Sequence, residues 1–84
     1  RFKTKVGEVD IIARRGRCIA FIEVKQRPER ELCEAAITKE TRARVSRAAE
    51  VWLQRHERYR SCEMRFDLIF VVPGRWPVHL LGAL

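Results

Sequence analysis

Only two aspartates occur in the chain, and both stand inside apolar runs, Val9-Asp10-Ile11-Ile12 and Phe66-Asp67-Leu68-Ile69. Aspartate is depleted from strands, so an acid in such a run needs a partner or a task. A third apolar run, Cys18 to Lys25, carries Glu23 and Lys25 two positions apart, hence on one strand face. Apolar strands must therefore come together here in a way that accommodates four charges.

With 84 residues, the chain makes one small domain, spanning 1–84, that buries roughly 60 to 65% of its unfolded surface. Support from a partner or a further segment is expected. The first residue is Arg1, which suggests a processed, truncated or partial chain. The net charge is +7, with 14 Arg and 4 Lys, and arginine suits bidentate phosphate contacts. Nucleic acid is favoured as partner over a merely solvated basic surface. Cys18, Cys33 and Cys62 are odd in number and form no Cys-x-x-Cys, so they read as reduced thiols of a cytoplasmic protein. The longest apolar run, Leu68 to Val72, is far short of the roughly 20 residues that span a bilayer, and no signal peptide is visible.

Along the chain, Arg1 to Val6 suggests an edge-like strand, followed by a bend or bulge at Gly7. Glu8 to Ala13 reads as a second strand, Arg14 to Arg17 as a four-residue turn, and Cys18 to Lys25 as the return strand. Gln26 to Ile37 is charged, contains Pro28 and reads as a loop. A helix is expected from about Lys39 to Tyr59, with Thr38 as N-cap and Val45, Ala48, Ala49, Trp52, Leu53 and His56 on its apolar face. The polar face carries Arg42, Arg44 and Arg47; with Lys39 these are candidate nucleic-acid contacts, although a solvated face would read the same way. Arg65 to Val72 and Trp76 to Leu81 complete the strands. The order βββαββ predicts an α/β (α+β) mixed sheet with helical cover, the helix carrying the chain to a parallel neighbour. Trp76 and Leu80 are expected in the core, with an exposed apolar strand as the alternative.

A four-residue turn pairs Ala13 with Cys18, so Asp10 faces Phe21 and becomes a diagonal neighbour of Glu23 on one sheet face. Glu8, Asp10, Glu23 and Lys25 then all project from that side. A turn one residue shorter or longer would put Asp10 on the other face. Asp10 and Glu23, with the carbonyl of Val24 as a further ligand, suit Mg²⁺, which binds through one or two carboxylates and keeps its waters. Lys25 would orient the attacking water and offset charge at a phosphate. The competing reading is an ion pair between Lys25 and Asp10 or Glu23 that closes a polar gap.

Gly7-Glu8-Val9-Asp10-Ile11-Ile12-Ala13 and Phe21-Ile22-Glu23-Val24-Lys25-Gln26-Arg27 resemble the YraN-type bacterial family of the PD-(D/E)XK nuclease superfamily, which is similar to Holliday-junction resolvases. The likeness continues through Ala35 to Thr38, Arg47 to Ala49, Arg65 to Ile69 and Val78 to Leu84. It implies a restriction-endonuclease-like core, Asp10 and Glu23 as metal ligands and Lys25 as the catalytic lysine. Arg27 and Asp67 also match family positions, Asp67 more readily in a structural role. Family members usually begin with a helix bearing a glutamate before the first strand, and nothing among the residues from Arg1 onward is expected to supply it. Many also have a lysine where Thr41 stands, with Lys39 and Arg42 as substitutes here.

The expected function is a Mg²⁺-dependent endonuclease-like domain, with Mn²⁺ as a substitute ion, acting on branched or structured DNA in repair or recombination. The alternative is a non-catalytic nucleic-acid-binding module of the same fold; a third class is an interaction domain whose Arg-rich helix binds an acidic protein. A homodimer would suit symmetric action on two strands.

Overall fold

The return strand becomes the centre of a sheet. In the computed structural model, which describes Arg1–Leu84, the chain runs β1 (Phe2–Lys3), β2 (Glu8–Val9), β3 (Ile11–Arg15), β4 (Cys18–Gln26), α1 (Arg30–Ala35), α2 (Lys39–Arg55), a 3-10 turn (Glu57–Tyr59), β5 (Glu63–Val71) and β6 (Val78–Leu80). Strands β3-β4-β5-β6 form one sheet in that order, and β1 pairs with β2 in a separate ribbon. Strands β4 and β5 are parallel while the outer pairings are antiparallel. The helical crossover thus produces the expected mixed sheet.

One face of that sheet is packed against α2. Val9, Ile19 and Phe21 meet Val45, Ala48 and Ala49 in the main core. Trp52 crosses Phe21 edge-on with ring centroids 5.9 Å apart, a favoured aromatic geometry. Thr38 caps the helix, its hydroxyl accepting from the Thr41 amide at 3.1 Å, which satisfies one of the orphan N–H groups of the first turn. A smaller cluster of Cys33, Leu68 and Phe70 lies beneath α1, and Leu80 packs against it. Trp76 stands 91% exposed, contrary to the expectation that it packs in the core.

Several boundaries differ from those expected. The first strand shrinks to Phe2–Lys3 because Thr4 starts a tight turn: its hydroxyl accepts from the Val6 and Gly7 amides at 3.2 and 3.1 Å. Glu8–Ala13 is broken at Asp10 into two strands that serve different sheets. The β3–β4 turn has two residues, not four, because Arg15 pairs with Cys18. Gly16 adopts φ +58° there, which a glycine at the first position of a tight hairpin allows without penalty. The expected loop contains α1, whose apolar residues Leu32 and Cys33 are masked by charges; Arg30 and Glu34 pair across one turn at 3.2 Å. Helix α2 stops at Arg55 because His56 leaves helical geometry, and only a 3-10 turn continues to Tyr59. No helix is long and apolar enough to cross a membrane.

The β1–β2 ribbon lies directly on α2. A Cβ built on Gly7 would come within 2.0 Å of the Arg44 carbonyl oxygen and 3.2 Å of the Ala48 amide nitrogen. Gly7 does not have positive φ, so glycine is needed there for space. Arg47 Nε donates to the Val6 carbonyl at 2.6 Å and Arg44 pairs with Glu8 at 3.2 Å, fixing the ribbon on both sides of this close approach.

Candidate metal and catalytic centre

Strand β4 outlasts its neighbour. Its pairing with β3 begins only at Ile11 opposite Ile22, so Glu23 to Gln26 extend past the end of β3. Continuing that register by one step sets Asp10 across from Glu23. The two-residue turn shifts the pairing by an even number, so the predicted face survives while the diagonal relation becomes a direct one. Asp10 sits at the bend between β2 and β3 and uses its side chain in place of a strand: Oδ2 accepts from the Val24 amide at 2.8 Å. In a strand the N–H and C=O of one residue point to the same side, so the Val24 carbonyl faces the Asp10 edge as well.

Glu23 is 3% exposed. Its Oε2 meets Lys25 Nζ at 3.0 Å, whereas its Oε1 is buried with no hydrogen-bond partner. Burial pushes the Glu23 carboxyl above its ordinary range; the Lys25 ammonium opposes this and the Asp10 carboxylate reinforces it. Two acids and a lysine therefore converge where a sheet edge opens, with one acceptor oxygen left over. A buried acceptor without a donor is uncommon in folded proteins; a proton shared with the neighbouring Asp10 carboxyl is one means of satisfying it, and a cation is another.

The donor set fits a hard, oxygen-preferring divalent ion. Nowhere do three or more His, Cys, Asp or Glu side chains converge, so an all-protein cage is absent. Asp10, Glu23 and the Val24 carbonyl offer what Mg²⁺ accepts while keeping its remaining waters. Cys33 buttresses the site from below, donating from Sγ to the Lys25 carbonyl at 3.5 Å.

Other predicted residues lie elsewhere. Glu8 is held by Arg1 and Arg44, which makes it an anchor of the ribbon. Arg27 is exposed past the end of β4 and donates to the Gln26 carbonyl. Lys39 and Arg42 are exposed at the start of α2, and Arg44 and Arg47 are partly engaged by the ribbon. Asp67 is fully buried on the opposite sheet face, since it pairs in register with Ile22, the neighbour of Glu23. There Arg65 Nε and Nη2 donate to it at 2.8 and 2.9 Å, His79 Nε2 lies 2.9 Å away, and the Gly82 amide donates at 2.8 Å. Burial alone would raise the Asp67 carboxyl, but these partners, Arg65 foremost, hold it below the usual carboxylate range. Sequence reasoning missed Arg65 and His79, although Arg65 stands two positions away on the same strand face.

The sequence profile described as "Uncharacterised protein family UPF0102" matches residues 1–71. The chain belongs to this family. It is 51% identical over 83 residues to a UPF0102 protein of Methylorubrum populi, covering 99% of this chain and 66% of that one. A UPF0102 protein of Mesorhizobium japonicum is 48% identical, again over 99% and 66%. One from Brucella canis is 41% identical over 95% of this chain and 64% of its own length. The chain thus spans just under two thirds of these UPF0102 relatives. The matched segment contains Asp10, Glu23 and Lys25.

Proposed function

We propose that this UPF0102 chain is the core of a divalent-metal-dependent endonuclease that hydrolyses DNA phosphodiesters, with Mg²⁺ as the ion and Mn²⁺ as a working substitute. The observation that carries this reading is the unpartnered, buried Oε1 of Glu23, which shares an open sheet edge with Asp10 and Lys25. Asp10, Glu23 and the Val24 carbonyl would hold the ion. When bound, it supplies positive charge to the phosphate and makes water a better nucleophile.

Lys25 acts beside it. Glu23 fixes its ammonium at 3.0 Å, so the charge is already positioned before a phosphate arrives, as electrostatic preorganisation requires. Asp10 is oriented by the Val24 amide. A branched or structured DNA substrate in repair or recombination is the form the family resemblance favours, and the +7 net charge is consistent with a polyanion.

The second reading is a nucleic-acid-binding module that does not cleave. It is favoured by the Lys25–Glu23 ion pair, which by itself closes much of the polar gap. Cleavage of labelled single-stranded, duplex, flap and four-way-junction DNA with Mg²⁺ or Mn²⁺ separates the two. Metal-dependent cutting that is lost in Asp10→Asn and Lys25→Ala is expected; salt-sensitive binding without cutting under any metal would decide for the module.

A further inference from the structure

Two adjoining shallow grooves, of about 320 and 690 Å³, run along the β1–β2 ribbon and α2. The first is lined by Lys3, Lys5, Arg44 and Arg47, with Glu8 as its single acid. The second is lined by Lys3, Lys5, Val51 and Arg55. None of Asp10, Glu23 and Lys25 contributes to either groove. Positions 44, 47, 51 and 55 share one helix face, and the ribbon lies beside them.

Most of these cations carry no ion pair within the chain; Arg44 pairs with Glu8, which also faces Lys3 across the ribbon. Of the six ion pairs in the molecule, none includes Lys3, Lys5, Arg47 or Arg55. Glu8 is already shared between Arg1 and Arg44. Arg47 commits only Nε, to the Val6 carbonyl, and Arg55 lies over the Phe2 ring at 5.7 Å. Four positive side chains held in one concave strip repel one another, and a chain of closely spaced anions relieves that repulsion. From Arg44 to Arg55 the strip measures about 16 Å at 1.5 Å per helical residue. That matches the rise of about five nucleotides of one DNA strand at 3.4 Å each.

We propose that the β1–β2 ribbon and the adjoining face of α2 form a phosphate-backbone contact carried by Lys3, Lys5, Arg47 and Arg55, separate from the Asp10–Glu23–Lys25 centre. It rests on the reading of the chain as a DNA-acting protein and adds where the strand is held. The site is distinct from Lys39 and Arg42, which stand in the first turn of α2 on the face turned away from Arg44, Arg47 and Arg55. No base edge is read in such a strip, so the contact positions DNA without selecting its sequence.

The test is binding of labelled duplex DNA to the full chain by fluorescence anisotropy, in EDTA, over a series of salt concentrations. The variants are Lys3→Ala/Lys5→Ala/Arg55→Ala, Lys39→Ala/Arg42→Ala and Asp10→Asn. The triple variant is expected to bind on the order of tenfold or more weakly at low salt, with the log–log salt slope shallower by about 2 to 3, since each lost phosphate contact removes about 0.9. Lys5→Glu, at an exposed loop position, should weaken binding in the same direction if the triple variant fails to fold. Wild-type affinity and slope in a folded triple variant would overturn the inference while leaving the enzyme reading intact, most clearly if Lys39→Ala/Arg42→Ala lost affinity instead. Absence of binding by the wild type, with Asp10→Asn equally silent, would overturn both.

Discussion

Replacing Gly7 by alanine tests whether the ribbon's seat on α2 positions Asp10. The new Cβ would fall 2.0 Å from the Arg44 carbonyl oxygen, 2.9 Å from its carbonyl carbon and 3.2 Å from the Ala48 amide nitrogen. All three atoms belong to helix backbone, so no side chain can swing aside; ribbon and helix must separate by about 1 Å or more to reach ordinary contact. Overpacking of this kind costs about 1–3 kcal/mol. Separation also weakens the Arg47–Val6 and Arg44–Glu8 bonds, each contributing about 1 kcal/mol or less because both are partly exposed. The expected loss is about 2–4 kcal/mol, which at about 4–8 °C per kcal/mol for a domain of this size lowers Tm by about 10 °C or more. Gly16→Ala is the matched control: its Cβ meets open space, but φ is +58°, so it should cost about 1–2 kcal/mol. Thermal melts by circular dichroism measure both. Because Asp10 follows Gly7 by three residues, Gly7→Ala should also reduce Mg²⁺-induced stabilisation. A Gly7→Ala melt within a few degrees of wild type, or milder than Gly16→Ala, would refute the claim that space at position 7 seats the ribbon.

Other substitutions probe the acids and the core. Glu23 has a raised carboxyl pKa, so the native state binds its proton more tightly than the unfolded state. Stability therefore falls as pH rises from the unfolded value through the folded one. In metal-free buffer Glu23→Gln should be more stable than wild type at neutral pH, and it should lose the rise in Tm that Mg²⁺ gives wild type; calorimetric melts with EDTA and with Mg²⁺ check both. Asp67 is lowered from 3.8, so its contribution is present above that value and is lost as pH falls through the lower folded one. Asp67→Asn should cost about 2–4 kcal/mol at neutral pH, discounted for the exposure of Arg65, and the deficit should shrink in acid melts. Phe21→Ala, at a fully buried position, should cost about 3–5 kcal/mol by urea denaturation.

Much of the fold was legible because strand signals were strong: the apolar runs of β4 and β5 and the turn residues after β5 fall where the sequence places them. The α2 face was readable from its period, since Val45, Ala48 and Ala49 are the apolar residues it buries, although the buried Thr41 was not foreseen. Helix α1 was not legible. Its six residues are too few to display a helical period, and its N-cap Glu29 makes no side-chain capping bond. The break at Asp10 was hidden for a different reason: Glu8 to Ala13 alternates as one strand would, and only the competition between α2 and β4 for its two halves divides it. The hairpin register was missed by two residues, yet the shared face of Asp10, Glu23 and Lys25 was still predicted, since side chains alternate with period 2. What no pattern revealed was the meaning of Gly7, whose constraint comes from a helix that begins more than thirty residues later.

The two aspartates of the opening pattern have opposite fates, and hydrogen bonding distinguishes them. Both acids invite a functional reading from sequence, since each interrupts an apolar strand. Asp67 is fully buried, yet a bidentate Arg65, His79 and the Gly82 amide surround its two oxygens. A carboxylate so completely bound has little left to offer a substrate, and its work is to hold β6 and the following turn to β5. On the other face, Glu23 is almost as deeply buried but retains an oxygen with no donor, and Asp10 spends one contact on a backbone amide. Desolvating an acid without completing its bonds costs more than completing them, which leaves Glu23, and not Asp67, as the acid with capacity for a ligand. Ile22 and Glu23 are adjacent on β4 and pair with Asp67 and Leu68, so one short section of sheet carries the saturated acid on one face and the unsaturated acid on the other. A test of the distinction is direct: Mg²⁺ should raise the Tm of Asp67→Asn by the same increment as wild type, while Asp10→Asn and Glu23→Gln should show no such increment. An equal response of all three variants would remove the distinction between a structural and a metal-binding acid.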